Sequence, residues 1–246
     1  MDIVMKNQYF GDINDYRKYG LLRILADDGR IKTAICWMLT PNENRTDGKF
    51  IQYLDQPIKW QKYDSELFDL LHFIVNKEKK RNILSAENTG LIPSAIYFSE
   101  ILTDDYQQRK HYFKKFFTKV ETENSQLLFF DPDNGLEVKS TAKGRKYSSK
   151  YMYWDELCKF YSKGCSILIY QHFPRVNRKN FSNSLAKKII LNTNAPEVYT
   201  FQTSNVLFLL IPQKKHLKRL SLLSRKIAEQ WEGQIMLEQY NYNPAK

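Results

Sequence analysis

The chain has 246 residues, 42% of them hydrophobic and 26% charged, with a formal net charge of +11. That length suits one substantial core, the proportions are those of a globular domain, and no apolar run approaches the length of a membrane span. The three cysteines, Cys36, Cys158 and Cys165, lack CxxC spacing; they read as small buried hydrophobes in a reducing cytoplasm rather than as a disulfide framework or a zinc site.

The N-terminus, MDIVMKNQYF, has an early acid and no apolar segment before a small-residue cleavage site, so it does not read as a secretory signal. Asp15 to Asp28 carries apolar residues at helical spacing, and Gly29 is placed to end that helix. Lys32 to Leu39 reads as a buried strand and Asp64 to Lys80 as an amphipathic helix. Arg81 to Ala86 reads as a short strand, and Ser94 to Leu102 as the start of another helical region. Leu127 to Phe130 is a strand, Lys150 to Ser162 a helix, Cys165 to Tyr170 a strand and Asn180 to Leu191 a helix. Val198–Gln202 and Val206–Ile211 flank a Thr-Ser-Asn turn and predict an antiparallel hairpin. Gln213 to Trp231 is a basic helix, and Gln234–Leu237 is a candidate last strand.

Alternating strands and helices with a terminal hairpin predict a single α/β domain over residues 1–246, with a mostly parallel central sheet and helices on both faces. Residues 1–30 are expected to form an N-terminal helical segment that contributes to the site. Ligands bind at the carboxyl ends of the strands in such sheets, and the chain leaving Phe130 is expected at such an end.

There the sequence runs LLFFDPDNGLE, an apolar strand driven into Asp131, Asp133 and Glu137. Pro-Asp-Asn-Gly is turn chemistry, but a turn leaves unexplained why three acids share the mouth of a sheet, where their repulsion needs a metal, a cation or a proton to offset it. An acid followed by proline at a strand end suits a hydrogen-bond acceptor for an amino group undergoing methylation. Alternatively, Asp131, Asp133 and Glu137 with Lys139 would hold Mg²⁺ or Mn²⁺ and a water for phosphodiester cleavage. Asn134 lies within the same turn, and His172, after the next strand, is expected at the same edge.

A second unusual stretch is Gly11 to Tyr19, in which Asp12 or Asn14 is suited to cap the helix. Tyr16, Lys18 and Tyr19 are left unexplained by capping and form a candidate wall for an anionic or aromatic ligand. The charge, the 14% aromatic content and the basic stretches near the expected site predict a nucleic acid partner, DNA or RNA. Lys143, Arg145, Lys146, Arg175 and Arg178 are the candidate phosphate contacts. No G-x-G-x-x-G, P-loop or H-E-x-x-H motif occurs.

Together these residues resemble the class I S-adenosylmethionine-dependent methyltransferases, nearest to the large-subunit ribosomal RNA adenine-N6 methyltransferase family with its N-terminal A-D-V-x-K-H motif. Asp15, Lys18 and Tyr19 stand at the acid, lysine and histidine of that motif. Ile92-Pro93-Ser94-Ala95 stands at the family's Pro-Gly-Ser-Pro loop, and Asp131-Pro132 at the first half of its Asp-Pro-Pro-Tyr. The resemblance implies S-adenosylmethionine as cofactor, bordered by Asp15, Lys18, Tyr19, Trp37 and Ser94. It also implies a target amino group held at Asp131, with Asp133, Asn134 and His172 around it.

The sequence departs from the family in three places. Tyr19 replaces a histidine, Trp37-Met38-Leu39-Thr40-Pro41 lacks the acid and glycines that pass beside the cofactor, and Asp133-Asn134 replace the second proline and the stacking aromatic. Losing that aromatic removes a stacking contribution of roughly 1–3 kcal/mol. A methyltransferase fold without catalysis, binding nucleic acid, is therefore a further expectation.

Overall fold

The structure is a computed structural model and describes residues 5–41, 48 and 50–241; residues 1–4 of the N-terminal stretch read above lie outside them. The strands are β1 (Thr33–Cys36), β2 (Ile96–Phe98), β3 (Leu127–Phe130), β4 (Gly135–Leu136), β5 (Tyr151–Met152), β6 (Ser166–His172), β7 (Glu197–Gln202), β8 (Val206–Ile211) and β9 (Met236–Asn241). Seven of them form one sheet in the order β2-β1-β3-β6-β8-β7-β9, and β4 and β5 pair separately. β2, β1, β3 and β6 run parallel, whereas β8, β7 and β9 join by antiparallel pairing. The protein is thus a mixed α/β domain with a parallel centre and the expected C-terminal hairpin.

Both faces of the sheet are covered at its centre, which is why β3 and β8 read as unbroken apolar runs. Alternate residues divide between two cores. Ile35, Phe129, Leu168 and Phe208 face one side, with α1 (Ile13–Ala26), α3 (Ser65–His72) and α8 (Leu217–Gln230). Ala34, Leu128, Phe130 and Ile169 face the other, under α5 (Tyr106–Thr122), α6 (Trp154–Ser162) and α7 (Arg178–Thr193). The remaining α-helices among the described residues are the short α2 (Pro57–Trp60) and α4 (Leu84–Asn88), and a π-helical turn, Phe73–Lys77, continues α3. No helix among the described residues is long and apolar enough to cross a membrane.

Two expectations fail, for local reasons. Arg81–Ala86 is not a strand: the Leu84 backbone N–H donates to Asn82 Oδ1 and starts α4 instead. Ser94–Leu102 does not begin a helix. Pro93 and a left-handed Ser94, at φ +52°, break it, and Ile96–Phe98 forms β2.

The buried Arg109–Glu156 pair fastens α5 to α6 and to the β5 loop. The Arg109 guanidinium, 1% exposed, donates to both Glu156 carboxylate oxygens at 2.7 and 2.8 Å. It also donates to the Ser148 and Tyr151 carbonyls and lies over the rings of Phe113 and Tyr153.

Candidate functional site

β3 lies between β1 and β6, with Phe130 opposite Cys36 on one side and Ile169 on the other. Parallel pairing brings the segments after Cys36, Phe130 and His172 to one edge, where Asp131 leaves the sheet with its N–H donated to the Cys36 carbonyl. The turn is clamped to β6 from both sides. The Asn134 carbonyl accepts from the His172 N–H and from Gln171 Nε2, while Gln171 Oε1 accepts from the Leu136 N–H at 2.8 Å. Glycine at 135 is required twice over: its φ is +117°, and a Cβ would stand 2.3 Å from the Gln171 side chain.

The excess of acid is balanced by cations from the N-terminal segment. Asp131 is 2% exposed. Its Oδ2 lies 3.2 Å from Lys18 Nζ on α1 and 3.2 Å from Lys6 Nζ on a single 3₁₀ turn, Met5–Gln8. Lys6 also reaches Asp133 Oδ1 at 3.3 Å, and Thr40 Oγ1 donates to Asp133 Oδ2 at 2.7 Å. Lys18 bridges on to Asp15 Oδ1 at 2.7 Å, and Asp15 Oδ2 accepts from the Tyr19 hydroxyl and the Gly11 N–H. Asp12 caps α1 by accepting from the Asn14 and Asp15 N–H groups.

These contacts fix the charge states. Burial opposes ionisation of Asp131, but the Lys18 and Lys6 ammonium groups outweigh it and hold its carboxyl below the ordinary range. Burial likewise opposes the charge on Lys18; Asp131 and Asp15 reverse this and raise its pKa above the usual lysine value. Tyr19 is pushed well above its ordinary value, first by burial and then by Asp15. Asp12 is pushed up to about 7 by burial and then by the neighbouring Asp15 carboxylate. His172 hydrogen-bonds the Tyr170 hydroxyl at 3.0 Å. Desolvation by the surrounding protein and then the Lys6 ammonium set its pKa below the ordinary imidazole value.

The structure therefore brings Asp131, Asp133, Asn134 and His172 to one edge, with Asp15, Lys18 and Tyr19 beside them. Asn134 acts there through its backbone. Glu137 turns away: its carboxylate accepts the Trp154 N–H at the start of α6. Among the described residues no three His, Cys, Asp or Glu side chains gather as a metal ion would need. Lys6 and Thr40 were missed, because nothing in the local sequence around either one marks it as a partner for an acid far along the chain.

Of the residues expected to border S-adenosylmethionine, Asp15, Lys18, Tyr19 and Trp37 lie together and Ser94 lies apart. Tyr19 and Trp37 are fully buried, with Lys18 Nζ over their rings at 5.1 and 5.4 Å. Trp37 Nε1 donates to Glu87 Oε1 and its ring stacks on Tyr97. Ser94 lies at the opposite edge, before β2, against Gly29, whose Cβ position is 2.5 Å from Ser94 Oγ.

The basic candidates divide. Lys143 Nζ is engaged by Asp155 at 2.6 Å and Glu156 at 3.2 Å. Arg145 is exposed, as is Lys146, whose Nζ lies over the Tyr147 ring. Arg175 and Arg178 line an open cavity of about 530 Å³ with Phe173, Asn177 and Asn205, just beyond His172.

No family model matches the chain, and no curated protein matches it. Among solved structures, the crystal structure of protein LPL1258 from Legionella pneumophila str. Philadelphia 1, of family model DUF519, is similar over 95% of this chain and 98% of that one, at 13% identity and a TM-score of 0.45.

Proposed function

We propose that this protein is a methyltransferase-like enzyme that holds an amino group of a nucleic acid base at Asp131. The observation that carries this reading is the state of that carboxylate. It stands at the carboxyl edge beside the first strand, is desolvated, and already accepts from two primary amines of its own chain. A buried, ionised acceptor held in place before any ligand arrives is what an amino group needs to be fixed in one orientation. The chain order also supports the reading, with Asp-Pro closing a central apolar strand and a strand, helix and hairpin finishing the sheet. Arg175 and Arg178, beyond His172, give phosphates a place beside that acceptor.

The closed arrangement of Lys18, Tyr19 and Trp37 favours a second reading, a protein of the same fold that binds nucleic acid without catalysis. Calorimetry with S-adenosylmethionine, followed by transfer of labelled methyl groups to mixed DNA and RNA, separates the two. Micromolar cofactor binding, with methyl transfer abolished in Asp131→Asn at unchanged thermal stability, is the expected result. Nucleic acid binding without cofactor binding would leave the second reading standing, and cleavage dependent on Mg²⁺ or Mn²⁺ would overturn both.

A further inference from the structure

We propose that β9 is a self-association edge: a second copy of this chain lays its own β9 antiparallel beside it, about a two-fold axis through Gln239, and joins the two sheets into one. The sheet has two edges, β2 and β9, and they are built differently. β2 has three residues, and Lys119 Nζ donates to the Tyr97 carbonyl at 2.8 Å, a lysine placed where an added strand would need that acceptor. β9 has six residues, pairs among the described residues with β7 alone, and in its sequence MLEQYN holds no proline, glycine, lysine or arginine. Its outer row of N–H and C=O groups is a template for another strand.

Three features select the same strand of a second copy. The first is charge. At a net charge of +11, two copies repel wherever their cations face each other. β9 brings no cation to the contact: its one charged side chain is Glu238, and Gln239 Nε2 donates to Glu197 Oε2 of β7 at 3.0 Å. The second is register. Leu237 packs with the core under α8 and Tyr240 with the core under α7, so alternate residues of β9 lie on opposite faces. Residues opposite each other in a sheet share a face, so a two-fold axis must pass through a residue and not between two. An axis at Glu238 would set two carboxylates against each other, which is destabilising. An axis at Gln239 sets amide against amide, each able to donate and to accept. It also sets Glu238 twice against Tyr240, whose hydroxyl already donates to Glu238 Oε2 within the strand. The third is access. Met236, Gln239 and Asn241 are exposed, Met236 by 55%, so neither α7 nor α8 overhangs the strand. β3 lies four strands in from β9, about 19 Å at the usual strand spacing, and the two-fold turns the two Asp131 edges in opposite directions. Association therefore leaves both edges open.

This inference does not depend on the function proposed above. The test is sedimentation velocity of the full chain over a concentration series, with thermal melting of each variant as the control for folding. The wild type should pass from the 29.3 kDa chain to twice that mass as its concentration rises through the micromolar range. Met236→Lys/Gln239→Lys gives β9 the lysines that edges use against added strands, and it should stay monomeric to roughly tenfold above the wild-type midpoint, with unchanged melting. Mild oxidation reads the register. Gln239→Cys should form a disulfide between copies, because the residue on the axis meets itself within the ~7 Å that a disulfide allows. Met236→Cys, about 20 Å from its own copy in this register, should not cross-link, nor should the wild type with its three native cysteines. A wild type monomeric at every concentration would overturn the proposal, as would a dimer that the lysine variant keeps or cross-linking at 236 in place of 239. A monomer that binds an alternating lysine–valine peptide, and loses it in the lysine variant, would assign the edge to a foreign strand and overturn the proposal as well.

Discussion

Replacing Asp12 by asparagine should stabilise the protein at alkaline pH and leave it nearly unchanged in acid. Asp12 is 3% exposed, and its side chain accepts from the Asn14 and Asp15 N–H groups at 2.8 and 2.9 Å. Burial and Asp15 push its pKa from 3.8 to about 7, against the cap hydrogen bonds and Lys18. An acid whose folded pKa exceeds its unfolded one binds more protons in the native state. It therefore costs nothing below the unfolded value, costs progressively more as pH rises between about 4 and 7, and imposes its full penalty above that window. The two values differ by roughly three pH units, and at about 1.4 kcal/mol per unit the ceiling is ~4 kcal/mol. Asparagine keeps the capping oxygen and removes the charge. Urea denaturation of both proteins should give equal stabilities near pH 4 and an advantage to Asp12→Asn of about 2–4 kcal/mol at pH 8. Asp131, whose folded pKa is lowered, contributes with the opposite sign, but it is present in both proteins and cancels in the difference. An advantage independent of pH, or a wild type more stable at pH 8, would refute the reasoning.

Arg109→Met should cost about 3–5 kcal/mol in the same assay, because it strips the Ser148 and Tyr151 carbonyls of their donor and leaves Glu156 only the Lys143 ammonium, and Arg109→Met/Glu156→Leu should recover part of it. Gly20→Ala places a Cβ 2.0 Å from Trp231 Cζ2, between α1 and α8. It should lose about 1–3 kcal/mol despite the better helix propensity of alanine, and Trp231→Phe should relieve part of that loss. Replacing Lys6 and Lys18 together by Met should be strongly destabilising, by about 3–5 kcal/mol, because Asp15, Asp131 and Asp133 then share the edge without a cation.

The parts of the fold legible in the sequence are those whose signal is local and repeated. Leu127–Phe130 and Val206–Ile211 are unbroken apolar runs because both faces of their strands are covered. The amphipathic residues of Asp64 to Lys80 marked α3 for the same reason of burial. β2 was hidden because it has three residues on an edge, follows a turn at Pro93–Ser94 and lacks the run that burial on both sides imposes. At the site, the apolar strand and its Asp-Pro exit were visible, and the parallel pairing that puts His172 beside them followed from element order. The direction of each acid was not. Leu136 enters the core from the short β4, so the next residue, Glu137, faces the start of α6 rather than Asp131. Lys143 looked like a free cation until Asp155 and Glu156, on a later helix, came to meet it. Lys6 shows the limit most plainly. One lysine in a polar stretch carries no mark of its partner, and only the folded chain puts it on Asp131.

The arrangement of charge also bears on how a protein with a surplus of cations could keep acids at its proposed site. Asp15, Asp131 and Asp133, left bare at the carboxyl edge, would repel a phosphate backbone and cancel the attraction of Arg175 and Arg178. Lys6 and Lys18 remove most of that repulsion, and they do so from inside, at 2.7–3.3 Å and out of reach of salt. The field that an approaching polyanion meets is then set by exposed lysines and arginines, while the carboxylates act only at contact range. A buried ion pair of this kind adds little to stability that apolar packing could not supply. On the function proposed above, its value is to let a hydrogen-bond acceptor stay ionised at an edge where exposed arginines would meet phosphates.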